Sequence, residues 1–281
     1  MAISRAQLVK ELEPGLNALF GLEYKQYGEQ WTAIFDTESS DRAFEEEVML
    51  AGFANAAVKP EGQGVSFDDA QETFTARYTN ETIALAFAIT EEAIEDNLYD
   101  RLASRYTKAL ARSMANTKQV KAAAVLNNGF NASFAGGDGV ALFATNHPTI
   151  AGTFSNELAV ASDLNETSLE QALIDIAAMT DERGLKIAAR GMKLVIPSAL
   201  QFTADRLMKS EGRTGTADND INAVKNMGMI PEGYTVNHFL TSNKKWFIKT
   251  DVPNGLKHFV RSPIKTSMEG DFDTGNVRYK A

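Results

Sequence analysis

Cysteine is absent from this chain. Its absence excludes a disulfide framework, a thiolate metal site and a cysteine nucleophile, and it suits synthesis in a reducing cytoplasm. Histidine is scarce: the three, His147, His238 and His258, fall in no H-x-x-x-H or H-E-x-x-H spacing and form no metal motif. Long hydrophobic runs are missing as well. The longest strongly apolar stretch, Ile83-Ala-Leu-Ala-Phe-Ala-Ile89, is far too short to span a bilayer, and the opening Met1-Ala-Ile-Ser-Arg-Ala-Gln-Leu8 has no apolar leader segment. No membrane association is expected. Positive charge is in deficit, 28 Lys and Arg against 37 Asp and Glu. No cluster of Lys and Arg interleaves with aromatics, which argues against sequence-specific nucleic-acid binding.

The deficit is uneven. Through Asp100 there are 20 acidic and 6 basic residues, a balance of −14; the remainder has 17 acidic and 22 basic, a balance of +5. Such a division is either a solvated acidic face or a pair of complementary surfaces between copies of one chain. The 281 residues, 44% hydrophobic and 23% charged, have the composition of a globular protein of one large or two ordinary domains.

Glycine and proline are both missing from Val65 to Asn128. The first part of that stretch alternates. Phe74, Ala76 and Tyr78 interleave with Thr73, Thr75, Arg77 and Thr79, and Ile83, Leu85, Phe87 and Ile89 follow on the opposite parity, so that one residue of slippage or a turn near Asn80-Glu81 separates the two runs. With Phe44-Glu-Glu-Glu-Val-Met-Leu50 and the turn signal Lys59-Pro-Glu-Gly-Gln-Gly64, this predicts a long β-hairpin whose outer part has few hydrophobic residues. Such a hairpin is too weak to stand alone and needs a surface to lie on. The second part reads as one helix over Thr90–Asn127, with Thr90 as N-cap, acidic residues first and basic residues last. At 1.5 Å per residue it would be on the order of 55 Å long, wider than a small domain, which predicts a tile-like subunit. Ile94, Leu98, Leu102, Tyr106, Leu110 and Met114 recur every four residues, so their stripe winds about 40° per step and its ends face different neighbours.

Upstream, Ser4 to Leu12 predicts a short helix ended by Pro14-Gly15, and Tyr24, Tyr27, Trp31 and Phe35 form either an arm or local core. Downstream, Val140-Ala-Leu-Phe-Ala144 predicts a strand, and Thr167-Ser-Leu-Glu170 a capping box opening a helix to about Gly184. Met192–Ile196 reads as a buried strand, followed by a helix through about Lys209 and a mobile polar loop from Ser210 to Asp220. Strands are expected at Trp246–Ile248, Leu256–Arg261 and Asn276–Lys280.

Chemistry is hard to assemble from these residues. No G-x-S-x-G elbow exists, and Gly136-Gly137-Asp138-Gly139 reads as a turn, having neither a dinucleotide nor a phosphate fingerprint. Asp218 with Asp220, and Asp271 with Asp273, lack the glutamate that completes a calcium loop. Glu92, Asp96 and Asp100 suit an acidic helix start. With no nucleophile, base and orienting group to combine, no catalytic residue, metal or cofactor is expected.

The run Phe87-Ala-Ile-Thr-Glu-Glu-Ala-Ile-Glu-Asp96 after Pro60-Glu-Gly62 resembles major capsid proteins of tailed phages with the HK97 fold, and most of all the Mu-like prophage major head subunits. Asp138-Gly-Val-Ala-Leu-Phe143 with His147-Pro148, Leu194-Val-Ile-Pro197, Trp246-Phe-Ile-Lys-Thr-Asp251, Gly255-Leu256, Arg261-Ser-Pro263 and Asp271-Phe272 extend the resemblance, which covers nearly all of the chain from Phe44. It implies an α+β fold with an N-terminal arm over 1–43 and an extended β-hairpin loop over 44–88. A peripheral domain over 89–166 and 238–281 would carry a spine helix at about 90–127, and 167–237 would be the axial domain. It implies a non-enzymatic shell subunit that forms pentamers and hexamers around double-stranded DNA, assembled in the host bacterial cytoplasm and resident in the virion. Partners would be other copies of the chain, a portal and a decoration protein. Inter-subunit contacts are expected at Trp31, Phe35, Lys59, Glu61, Phe74, Arg77 and Tyr78. The arm has no long charged extension, so a separate scaffolding protein is expected, and the abrupt end after Lys280 suggests a trimmed C-terminus. In some relatives a loop lysine bonds covalently to a neighbour's asparagine. Lys59 is the only loop-tip lysine that corresponds, and it is read as an ordinary surface residue. An encapsulin-like cargo shell is the alternative reading, and a soluble α/β enzyme using His147 or His238 a distant one.

Overall fold

The computed structural model describes residues 5–90, 92, 99–213, 220–271 and 274–281. The predicted cap at Thr90 is followed by residues outside that range, as are 214–219 of the polar loop and Phe272 with Asp273. The chain divides into two compact units, Met1–Gln30 with Asn80–Ala122 and Val260–Ala281, and Trp31–Thr79 with Ala123–Phe259.

The first unit opens with helix α1 (Arg5–Gln26), which runs through Pro14 without stopping. A proline inside a helix costs about 3 kcal/mol, and Pro14-Gly15 therefore reads as a stop in sequence. Leu16 and Phe20, one turn apart just beyond it, are both buried in the unit's core, and that burial carries the helix past the break. The core is completed by Ile89, Ala103, Leu110, Ala111, Met114 and Tyr279. Strand β4 (Ala86–Ile89) does not fold back on the strand before it. It pairs antiparallel with β12 (Val277–Lys280), whose other edge holds β11 (Ser267–Gly270). The change of parity between the two alternating runs thus marks a change of sheet. The central strand places Tyr279 in the core, 1% exposed, with its hydroxyl donating to Asn17 Oδ1 at 2.8 Å; Thr266 Oγ1 donates to the same oxygen at 2.7 Å.

The long helix α2 is described over Tyr99–Asn127. Ala103, Thr107, Leu110, Ala111 and Met114 form one buried arc, and Ala115, Gln119, Ala122, Ala123 and Leu126 form a second. At about 100° per residue the second arc is turned roughly a third of a turn from the first. The buried stripe therefore winds; Leu110 and Met114 lie on it as expected, five alanines share it, and Ile94, Leu98 and Leu102 fall outside the residues whose burial is described. Tyr106, expected on the stripe, is half exposed with its ring on Phe87. Small side chains permit close approach of neighbouring backbone, which the count of large apolar residues does not register.

In the second unit, β1 (Asp36–Ser39) pairs with β10 (Lys257–Val260), β2 (Phe44–Ala51) with β3 (Gln71–Thr79), and β5 (His147–Thr149) with β6 (Gly152–Phe154). A three-stranded sheet has β7 (Gly191–Ile196) at its centre, parallel to β8 (Tyr234–Val236) and antiparallel to β9 (Phe247–Thr250). Leu194, Val195 and Ile196 are buried there, against Leu169 and Leu173 of α3 (Glu166–Ala178), Ala204 and Leu207 of α4 (Gln201–Lys209) and Val224 of α5 (Ala223–Asn226). The cap of α3 is Asn165, two residues before the predicted Thr167. Asn165 Oδ1 accepts from the Ser168 amide at 2.9 Å, and Ser168 Oγ accepts from the Asn165 amide at 3.0 Å. A serine thus takes the place usually held by Glu in a capping box. The helix ends at Ala178, short of Gly184, because Met179 is extended (ψ 147°). The predicted strand at Val140–Ala144 reduces to a single bridge between Ala135 and Ala141.

Replacing Asn17 with Ala removes the half-buried acceptor shared by the Tyr279 and Thr266 hydroxyls. The expected loss is about 1–3 kcal/mol of unfolding free energy, measured by urea denaturation.

Candidate interaction surface

The β2–β3 ribbon has two unlike faces. Phe44, Glu46 and Val48 lie opposite Thr79, Arg77 and Thr75 on the outer face. Arg77 pairs with Glu46 directly across the ribbon, 2.5 Å from guanidinium to carboxylate, and its guanidinium covers the Phe44 ring at 4.5 Å. Exposed pairs of this kind contribute at most about 1 kcal/mol. The inner face carries Glu45, Glu47, Phe74, Ala76 and Tyr78, none of them fully exposed.

That inner face is held by the chain's own residues. The Lys257 side chain, 8% exposed, donates to both Glu47 and Glu38, and these hydrogen bonds hold its ammonium above the ordinary lysine range. The Tyr78 ring packs on Phe259 with centroids 5.1 Å apart, and Ser40 Oγ donates to Glu45 at 2.8 Å. Gly137 approaches the ribbon backbone so closely that a Cβ there would stand 2.8 Å from the Thr75 carbonyl oxygen. The Gly136–Gly139 turn is thus a packing element of the hairpin, in line with its reading as a turn. Asp138 of that turn bonds His147 Nδ1 at 2.6 Å and accepts from the Val140 amide. His147 is therefore tied to a structural turn, while His238 is exposed. Among the described residues no group of three or more His, Cys, Asp or Glu could hold a metal ion.

Beyond Ala51 and Gln71 the pairing stops, and the 52–70 segment carries its apolar side chains outward. Val58 is 94% and Phe67 93% exposed, with Phe53, Val65 and the neighbouring Leu50 also exposed. A concentration of bare Val, Leu and Phe side chains of this kind marks an interaction surface. Lys59 and Glu61 stand exposed in the same segment, and Arg77 is exposed at the base. Phe74 and Tyr78 are half-buried on the inner face. Trp31 and Phe35 sit apart from these, buried in the core of their own unit, with Trp31 3% exposed and its ring 4.1 Å from that of His258. The residues that sequence reasoning passed over are Phe53, Val58, Val65 and Phe67. Their signal was apolar residues without any period in a glycine- and proline-containing tract, where no core element could claim them.

A charge cluster adjoins the ribbon's supports. Burial pushes the Glu182 carboxyl above its ordinary range, the Ile150 amide opposes this, and the negative charges of Asp181 and Asp138 add to it.

The model of a family described as phage capsid protein matches residues 72–281. No curated protein matches the chain. Among solved structures, the fold is similar to the capsid protein of bacteriophage JBD30, with a TM-score of 0.58 and 14% identity, over 75% of this chain and 90% of that one. The JBD30 procapsid matches with a TM-score of 0.57 and 17% identity, over 85% of this chain and all of that one. A virus-like particle from Pyrococcus furiosus matches over 95% of this chain and 90% of that one, with a TM-score of 0.53 and 11% identity. At these identities the likeness is one of fold.

Two outcomes are expected. Gly137→Ala forces the Thr75 backbone to shift and destabilises the ribbon by about 1–3 kcal/mol, read as faster amide exchange in β3. Glu182 favours its protonated form in the fold, so its stabilising contribution is present at acidic pH and lost as pH rises through the raised value. Glu182→Gln should flatten that part of the stability profile, measured by urea unfolding between about pH 4 and 7.

Proposed function

The chain belongs to the phage capsid protein family, and from that premise we propose that it is the major head subunit of a tailed phage, self-assembling into the pentamers and hexamers of a closed icosahedral shell. The observation that carries the reading is the ribbon end: a segment with Val58 and Phe67 almost wholly exposed, on a base that the chain itself anchors. Covering each such side chain contributes about 1.5–3 kcal/mol. One such contact is weak, and a closed lattice in which every subunit both gives and receives it is held by the sum.

In this reading the hairpin within 44–88 lies on an adjacent copy, 89–166 and 238–281 form the peripheral domain, and 167–237 points toward the five- or six-fold axis. The acidic first third meets the more basic remainder of neighbouring copies, which makes assembly salt-sensitive. The shell encloses double-stranded DNA without reading its sequence. It is built in the host cytoplasm with a separate scaffolding protein and a portal, and the role of the chain is structural rather than enzymatic. A JBD30 capsid of similar fold is decorated with minor capsid protein trimers, and a decoration protein on this shell is proposed by analogy. The likeness to a virus-like particle keeps a cargo shell as the second reading. Particles that hold an enzyme and no DNA would favour it.

Negative-stain microscopy of the purified chain, with scaffold supplied, is the direct test. Closed particles or capsomer rings are expected, and monomers under every condition would overturn the proposal. The Val58→Ser, Phe67→Ser double variant should fold normally by circular dichroism and yield at least tenfold fewer particles, since roughly 3 kcal/mol of contact is lost per subunit. Wild-type yield should also fall as salt rises toward about 1 M.

A further inference from the structure

The neck of the exposed segment poses a mechanical problem. The ladder ends at Leu50–Glu72 and Ala51–Gln71, after a register shift, and 19 residues separate the strands (52–70). A loop of this length with few internal bonds has no fixed direction unless something outside it supplies one.

One side chain reaches both ends of the loop. Arg183 Nε donates to the Gly52 carbonyl at 3.2 Å, and its terminal nitrogen donates to the Asp69 carbonyl at 2.7 Å. The planar fork thus bridges the first and the second-last residue of the segment. Next to it Asp68 closes the neck from within, accepting from the Ala54 amide at 2.7 Å. That amide, with the Asp69 amide and the Arg183 charge behind it, holds Asp68 below the ordinary carboxylate range.

Arg183 is carried on a turn that cannot easily move. Asp181 Oδ1 accepts from the Arg183 amide at 2.9 Å and the Leu185 amide at 2.7 Å, Gly184 takes a φ of +83° and bonds back to Asp181, and Thr180 bridges Lys186. The Glu182 carbonyl accepts from Ala151, tying the turn to the β5–β6 hairpin. A rigid turn presenting a two-pronged donor to two carbonyls is the geometry of a latch.

We infer that Arg183 is a positioning residue, which latches the neck of the 52–70 segment and presets its apolar end for docking on a neighbouring copy. The inference rests on the shell reading for what is docked, while the latch itself belongs to the single chain. A preset loop loses less conformational freedom when it binds, so the latch lowers the concentration at which subunits associate. The choice of Arg over Lys follows from the geometry: an ammonium is a point donor and cannot hold two carbonyls with a fixed fork.

The test separates the latch from the shell. The full-length chain is kept below its assembly concentration and treated with chymotrypsin, which cuts after Phe53 and Phe67. Arg183→Ala should speed cleavage at these sites roughly tenfold, which corresponds to about 1.4 kcal/mol and so to two solvent-exposed hydrogen bonds of ordinary net strength, with an unchanged urea midpoint. Arg183→Lys should fall between. In assembly trials Arg183→Ala should need a higher protein concentration to form the same particles. Equal cleavage in wild type and both variants overturns the latch, whatever happens in assembly. If Arg183→Ala does not fold, the wild-type against Arg183→Lys comparison decides alone. Absence of particles from wild type strikes the shell reading and leaves the cleavage result standing.

Discussion

A two-stranded antiparallel ribbon does not bury enough surface to hold itself up. That constraint organises the second unit of this protein. The β2–β3 ribbon stands because Lys257 joins Glu47 and Glu38 under it, Tyr78 packs on Phe259, and Gly137 lets a turn press against its backbone. Each support acts on the inner face and near the base. None reaches the apolar side chains at the far end, so the fold finishes its own work with Val58 and Phe67 still in water. In the proposed shell, a second copy of the chain supplies what this one leaves uncovered. A shell lattice is a supply of such surfaces at fixed geometry.

The first unit solves a different problem with similar economy. Its core mixes a few large residues (Leu16, Phe20, Tyr279) with alanines of α2, and a single amide oxygen, that of Asn17, accepts from two hydroxyls near the C-terminus, those of Thr266 and Tyr279. α1 is thereby tied to residues more than two hundred positions away. The cost of Pro14 within the helix is offset by that packing, which is why a strong local stop signal did not stop anything.

Much of the architecture was legible before any coordinates. The buried strand at β7, the helix after Pro197, the strands β9, β10 and β12, and the long α2 all follow from period and punctuation, because each is long or apolar enough for local pattern to dominate. The misreadings share a cause. Val140–Ala144 alternates like a strand but finds no partner beyond one bridge. Thr167 looks like a cap, but Asn165 accepts from the Ser168 amide and opens the helix two residues earlier. Ile83–Ile89 alternates like the return of a hairpin but is claimed by β12. In each case the local signal was real, and a competitor distant in the chain or slightly better placed took the bond. Of the residues expected at inter-subunit contacts, Lys59, Glu61 and Arg77 are exposed, while Phe74 and Tyr78 are half-buried. Trp31 and Phe35 were chosen for being large and aromatic among polar neighbours, and those same properties draw them into the core of their unit.

The sequence by itself determined the type of the long or strongly apolar elements, the exclusion of thiol chemistry, the winding of the α2 stripe and the need of the hairpin for outside support. These depend on composition and on residue spacing, which are local. Only the tertiary structure decided which strands pair, that Gly137 is a contact rather than a loop residue, that Arg183 reaches both ends of the 52–70 segment, and which apolar residues remain uncovered. Those depend on distances between residues far apart in the chain. Exposure in particular is a remainder: it is known only after every other residue has found its place.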